Sequence, residues 1–180
     1  MRRGHRFVVD VGAGRTGVIR DARPSDAREA LASVARVVRE RPRTLLIGED
    51  ELWTPKQWRE HRLVWCPDGA WLAAELDGRF VGLYVISRGA RRAERHKAEF
   101  GVWLVPEARG LGFGRAMLEA GEIWAKEHGV TRVELGVFAS NRRARRVYLS
   151  AGYEEEGLLR AAYTLPEGET IDAIRMAKLL

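Results

Sequence analysis

The sequence predicts a single α/β domain on a mixed sheet, in which one parallel strand pair is flanked by antiparallel strands. Three observations carry this. Residues 98–105, 112–128 and 131–138 read as strand, helix and strand, and the helix is long enough to be a crossover between parallel neighbours. Asp77-Gly78 between two apolar runs is a two-residue hairpin signal, which sets antiparallel strands beside that unit. The chain has 180 residues and 20.3 kDa, 46% hydrophobic and 31% charged, which suits one core and excludes both an eightfold barrel and a disordered chain.

The elements follow in chain order. Residues 6–11 read as a short strand or ordered arm, broken by Gly12-x-Gly14-x-x-Gly17. Residues 16–21, with Val18 and Ile19, read as an edge or first strand. Pro24-Ser25-Asp26 starts a helix, and Ala27, Ala30, Leu31, Val34, Val37 and Val38 recur at helical spacing up to Glu40. Residues 41–50 connect; Thr54 before Pro55 caps a short helix over 55–63; residues 67–69 turn. Strands over 70–76 and 79–87 flank the hairpin turn, and 88–97 is a charged loop. Pro106 ends the strand over 98–105. Phe113, Met117, Leu118, Gly121, Ile123, Trp124 and Ala125 give the helix over 112–128 its packing face, and Gly129 stands where a C-cap glycine belongs. A helix over 141–150 is marked by Ala144, Val147, Tyr148 and Leu149 and closed by Gly152; 153–159 is extended, and 170–179 is the last strand.

Charge and composition narrow the function. The chain carries 31 basic residues, 27 of them Arg, against 25 acidic ones, a net +6 that favours an anionic partner such as a phosphate-bearing cofactor. Acidic residues are interspersed, and no helix-turn-helix, zinc finger or aromatic sheet motif is present, so no nucleic-acid partner is expected. The single cysteine, Cys66, excludes an intramolecular disulfide and a cysteine-rich zinc site. His5, His61, His96 and His128 lack ligand spacing, so no metal is expected. No run of eighteen apolar residues occurs, and Phe7-Val8-Val9 is too short for a signal core; the expectation is a soluble, cytoplasmic protein with no membrane partner.

Two glycine segments compete as anion cradles. Gly12-x-Gly14-x-x-Gly17 has dinucleotide spacing, but the residues after it look extended, and a cradle needs a helix whose free N–H groups meet the phosphate. It reads as a flexible turn. Arg109-Gly110-Leu111-Gly112-Phe113-Gly114-Arg115 follows a strand and opens a helix. Gly112 and Gly114 let a phosphate approach the backbone, the first helical turn supplies donors, and Arg109 and Arg115 add charge.

Arg109-x-x-Gly112-x-Gly114 after Val105-Pro106-Glu107, with Asn141-x-x-Ala144-x-x-Val147-Tyr148-x-x-x-Gly152-Tyr153, resembles the GNAT-type N-acetyltransferases over residues 17–180. Residues 1–16 are then an N-terminal extension. The tail, Glu156-Gly157-x-x-Arg160 and Asp172-Ala173-x-x-Met176-Ala177, resembles the bacterial branch acting on amino acids, small amines or protein N-termini. The resemblance implies a mostly antiparallel sheet whose central parallel pair splays apart to admit acetyl-coenzyme A as acyl donor. It implies contacts from Trp103, Leu104 and Val105 to the pantetheine arm and from Gly110 to Arg115 to the pyrophosphate. Asn141 meets the arm or orders the adjacent loop.

By the same resemblance Tyr148 faces the thioester sulphur, and a phenol, protonated at neutral pH, can serve as general acid. For the base, relatives acting on ribosomal protein N-termini carry a glutamate at the position of Gly136 here. Glu134, two residues away on the same strand face, and Glu99 are the alternatives. Trp53 and Trp58 are candidates for an apolar acceptor pocket, for core, or for a dimer contact. Arg142-Arg143 and Arg145-Arg146 fit a solvated face or the coenzyme's phosphates. The expected function is acetyl transfer to a small amine or amino acid. A protein N-terminal or lysine acetyltransferase and a non-catalytic acyl-coenzyme A module are the alternatives, and a homodimer is compatible with each.

Overall fold

The computed structural model describes residues 6–12, 14–64, 68–165 and 167–180. His5, Cys66 and Pro67 lie outside the described residues, as does the side chain of His61, and with them part of the turn expected over 67–69. The strands are β1 (Arg6–Asp10), β2 (Thr16–Asp21), β3 (Gly69–Leu76), β4 (Arg79–Arg88), β5 (Lys97–Leu104), β6 (Arg132–Phe138), β7 (Glu154–Thr164) and β8 (Thr170–Leu179). The helices are α1 (Ala27–Val38), α2 (Pro55–Val64), α3 (Phe113–Glu127) and α4 (Arg142–Ser150). Among the described residues the strands form one sheet in the order β1-β2-β3-β4-β5-β6-β8-β7. Only β5 and β6 run parallel; the other neighbours are antiparallel. This is the mixed α/β sheet the sequence predicts. No described helix is long and apolar enough to cross a membrane.

Local chemistry explains the turns that set this order. Asp77 and Gly78 both take positive φ, 51° and 77°, as a two-residue hairpin with matching twist requires. The Asp77 carboxylate then accepts from Thr16 N–H and from Arg15 Nε, both at 2.9 Å, and ties the hairpin tip to β2. Residues 6–10 of the expected N-terminal extension add β1 to the sheet, paired with β2 from Arg6↔Arg20 to Asp10↔Thr16. Gly12-x-Gly14-x-x-Gly17 leads into β2 and opens no helix.

Two cores lie on opposite faces of the sheet, as the alternation of β3 shows. Leu72, Ala74 and Leu76 enter the larger core with Phe113, Met117 and Trp124 of α3 and Tyr148 of α4. Trp71 and Ala73 enter the second, with Ala27 and Ala30 of α1, Trp58 of α2, and Phe80. Trp58 meets Trp71 edge-on at 5.2 Å and Trp53 stacks on Trp71 at 6.2 Å. Trp58 therefore builds core, Trp53 covers it from the exposed side, and neither lines the cleft described below. Arg20 anchors the start of α1, donating to both Asp26 oxygens at 2.8 and 2.9 Å and to Glu75 from Nε at 2.9 Å. Burial alone would raise the Asp26 carboxyl, but its bonds from Arg20 and from Arg23 N–H outweigh that and hold it below the ordinary aspartate range.

Helix α3 sits close on β4 because Gly121 has no side chain: a Cβ there would overlap the ring of Tyr84, which is fully buried. Gly121→Ala is expected to cost about 1–3 kcal/mol through overpacking, read as an earlier urea midpoint at unchanged slope. A midpoint equal to wild type would show that α3 can back away from Tyr84 without loss.

Candidate active site

The parallel ladder between β5 and β6 is short. It pairs Lys97↔Arg132, Ala98↔Val133 and Glu99↔Glu134 and then stops, although both strands continue, to Leu104 and to Phe138. On its other side each strand stays fully paired, β5 with β4 and β6 with β8. The strands therefore part beyond Glu99 and Glu134, and a cleft of about 600 Å³ occupies the gap. Phe100 to Leu104 form one wall and Leu135 to Phe138 the other, with α4, the glycine loop and residues 44–47 around the rim.

One end of the cleft is built for an anion. Gly110 and Gly112 take φ of 83° and 85°, a backbone turn that side chains rarely allow, and they aim the start of α3 at the cleft. Gly112 offers no capping side chain, and the first helical bond runs from Ala116 N–H to the Gly112 carbonyl. The N–H groups of Phe113, Gly114 and Arg115 are thus left without an intrahelical acceptor. Arg143 of α4 reaches over this loop: a Cβ on Gly110 would lie 3.8 Å from its Nη2. Three donors, the positive helix end and Arg143 suit a pyrophosphate, with Arg115 beside them paired to Glu119 at 3.0 Å. The largely apolar strand walls beyond them suit a pantetheine arm.

The other end places opposite chemistries on the two faces of the sheet. Phe100 points to the α3 side, where it stacks on Tyr84 at 4.9 Å and meets Tyr148 and Tyr153 edge-on at 5.9 and 5.7 Å. These rings fix the phenol of Tyr148, which lines the cleft and is 8% exposed. Burial pushes the Tyr148 hydroxyl up to about 12, so it stays protonated through the neutral range. Glu99, one residue from Phe100, lies on the other face and accepts from Arg175 Nη1 at 2.8 Å. It also lines the cleft, and its side chain is 60% exposed.

Glu134 shares that face but not that freedom. Arg175 Nη2 donates to it at 3.0 Å and Arg132 Nε at 3.3 Å, while Lys97 Nζ lies 3.6 Å away. Burial opposes its ionisation, yet these three cations win and hold its carboxyl below the ordinary glutamate range. It is buried and does not line the cleft. The two glutamates that the sequence leaves as equals are therefore separated: Glu99 is open to the cleft, and Glu134 is locked in an ion-pair cluster.

Other expected site residues divide in the same way. Trp103, Leu104, Gly110, Gly112, Gly114, Arg115 and Asn141 all line the cleft. Val105, Leu111 and Phe113 do not: Val105 donates its N–H to the Val81 carbonyl, and the Phe113 side chain is fully buried in the core. Arg109 lines the cleft, but its guanidinium is paired with both Glu40 oxygens at 2.7 and 2.8 Å and donates to the Leu104 carbonyl at 2.9 Å. Its charge braces the loop instead of lying open to a phosphate. The Asn141 carbonyl oxygen caps α4 by accepting from Ala144 N–H at 3.1 Å, the loop-ordering alternative. Of the arginine run, Arg143 enters the cleft, whereas Arg145 bonds Glu155 and the Ala139 carbonyl. The sequence reading missed Leu46, Ile47 and Tyr163 on the rim and Arg175 behind Glu99. Only the apolar run Leu45-Leu46-Ile47, in an otherwise charged connection, offered a signal.

Residues 35–153 match the Acetyltransferase (GNAT) family. The chain is 35% identical over 126 residues to the L-amino acid N-acetyltransferase AaaT of Escherichia coli (strain K12), spanning 68% of this chain and 75% of that protein. An acetyltransferase of the GNAT family from Streptococcus pneumoniae superposes with a TM-score of 0.82 at 27% identity, covering 91% of this chain and 99% of that one. The ribosomal-protein-alanine N-acetyltransferase of Brucella melitensis superposes with a TM-score of 0.78 at 30% identity, covering 90% and 99%.

The anion end makes a direct test possible at Gly114. Unlike Gly110 and Gly112 its φ is not left-handed, and an added Cβ would meet only Val147 Cγ1, at 3.7 Å. Gly114→Asp should leave the fold intact while setting a carboxylate among the free N–H groups. Coenzyme A affinity by calorimetry is expected to fall at least about tenfold, with little change in thermal midpoint. Undiminished affinity would remove the loop from the binding site.

Proposed function

The chain belongs to the GNAT acetyltransferase family and is an acetyl-CoA-dependent N-acetyltransferase, and from that premise we propose that it acetylates the primary amine of a small molecule or free amino acid by direct attack on the thioester. One observation carries the reading: a protonated phenol, Tyr148, and an open carboxylate, Glu99, line the same gap from opposite faces of the sheet. Acetyl-CoA supplies the electrophilic carbonyl and the leaving thiolate. Glu99 takes the proton that the acceptor ammonium must shed, directly or through water, so that the amine nitrogen carries a free lone pair. Tyr148 Oη gives its proton to the departing sulphur as the carbon–sulphur bond breaks, the nitrogen releases its second proton to solvent as the amide forms, and solvent then reprotonates Tyr148 and takes the proton held by Glu99. Phe113, Gly114 and Arg115 N–H and Arg143 hold the pyrophosphate end, and Trp103 and Leu104 flank the arm.

The Escherichia coli relative's action on L-amino acids supports this acceptor class. The protein N-terminus reading draws on the Brucella structure, but by the family resemblance Gly136 stands where relatives acting on ribosomal proteins carry their base, and Glu134 is held by three cations. Tyr148→Phe keeps the ring and removes the hydroxyl. Its kcat is expected to fall about 100- to 10,000-fold with KM near wild type, provided acetyl transfer limits the rate. Glu99→Gln should lower kcat most at the acid end of the pH profile, where less amine is neutral, and Glu134→Gln should cost stability more than rate. A near-normal kcat for Tyr148→Phe under rate-limiting chemistry would remove the acid assignment. Loss of rate in Glu134→Gln with Glu99→Gln intact would move the base.

A further inference from the structure

Behind Glu99 lies a cluster that acetyl transfer to an amine does not require. Gly136 on β6 pairs with Arg175 on β8, and the missing side chain leaves a slot. A Cβ placed on Gly136 would lie 3.8 Å from Tyr163 Oη and 3.9 Å from Arg175 Nη1. Tyr163 comes from β7, near its bulge, and packs 6.1 Å from the Phe138 ring. Gly136, Tyr163 and Glu99 all line the cleft, and Arg175 Nη1 reaches Glu99 from behind them. A guanidinium and a phenol thus converge on one empty slot beside the carboxylate proposed as base.

Arg175 shares Glu134 with Arg132 at 3.3 Å and Lys97 at 3.6 Å, cations that also pair with Glu156 and Glu94. Arg175 gives Glu134 one N–H and Glu99 another, and among the described residues its other three donors have no hydrogen-bonded partner. A cation and an anion stand side by side there, 2.8 Å apart. An α-amino acid carries an ammonium and a carboxylate on one carbon, the complementary arrangement. A simple amine would leave the spare donors of Arg175 without an anion, and a peptide N-terminus would present a neutral amide at the slot.

We infer that Arg175 and Tyr163 form a carboxylate subsite over Gly136, which makes the acceptor a free α-amino acid. The inference rests on the acetyl-transfer reading and adds the group that selects among amines. Arg175 and Tyr163 bind and discriminate; the proton steps remain with Glu99 and Tyr148.

The test compares the common amino acids, each paired with its α-carboxamide, as acceptors for the wild-type enzyme, followed by Arg175→Gln. A charge-assisted pair sets the scale: wild type should favour the best acid over its amide by roughly 10- to 100-fold in kcat/KM, mainly through KM. In Arg175→Gln that ratio should collapse to within about threefold. If Arg175 merely supports Glu99, acid and amide will fall by the same factor and the ratio will survive, which overturns the subsite. A wild-type enzyme indifferent to the carboxylate overturns it too. A wild type that acetylates neither member of any pair, yet releases coenzyme A with a simple primary amine, overturns the subsite and leaves the functional reading standing; one that releases none with either defeats the functional reading itself. Should Arg175→Gln fail to fold, Tyr163→Phe, which removes one hydroxyl at the cleft rim, should lower the ratio about threefold or more, and an unchanged ratio there counts against the proposal.

Discussion

The site depends on one constraint, the termination of the parallel ladder after Glu99↔Glu134. A parallel pair inside a sheet normally continues as long as both strands do, because an unpaired edge leaves N–H and C=O groups without partners. Here β5 and β6 stay bound to their outer neighbours while they separate from each other. The edges that face the gap are therefore available to a ligand, and the gap joins the two faces of the sheet. Placing the proposed acid and the proposed base on opposite faces of the sheet follows from strand alternation alone, since Glu99 and Phe100 are consecutive and the Phe100 ring packs on Tyr148.

The elements around the gap are braced by interactions that do not touch the chemistry. Arg36 pairs with both Glu107 oxygens at 2.7 and 2.9 Å, and Glu40 with Arg109, so the end of α1 is tied twice to the loop between β5 and α3. Bidentate pairs of this kind fix orientation more than they add stability. On the opposite side Lys178 joins Glu122 of α3 at 2.7 Å and the Ala151 carbonyl at 2.8 Å, so β8 holds α3 and the end of α4 together. The aromatic group of Tyr84, Phe100, Tyr148 and Tyr153 fills the space between, and Gly121 lets α3 close over it.

Much of this was legible in the sequence, and the failures have physical causes. The β5–α3–β6 unit and the Asp77-Gly78 hairpin were readable because local periodicity and turn chemistry determine them. Strand β7 runs to Thr164, past the expected end at 159, because two bulges and a positive φ at Ala161 break its alternation. Arg109 reads as a phosphate ligand until Glu40, remote in sequence, is found against it. Phe113 sits in a loop motif but belongs to the core, since helix phase decides where it points. Tyr163 and Arg175 come from two strands and meet only over Gly136, a convergence that no spacing encodes. Glu99 and Glu134 are alike in sequence, and only their neighbours distinguish them.

The gap between β5 and β6 is tested most directly by hydrogen–deuterium exchange with and without saturating coenzyme A. Backbone groups facing an unfilled gap exchange with solvent, and a ligand seated between the strands protects them. Slower exchange is expected together in peptides covering residues 100–104, 112–116 and 135–138, with residues 71–76 of β3 unchanged. Protection absent from both walls, or found instead at the glycine turn over 12–17, would contradict the account.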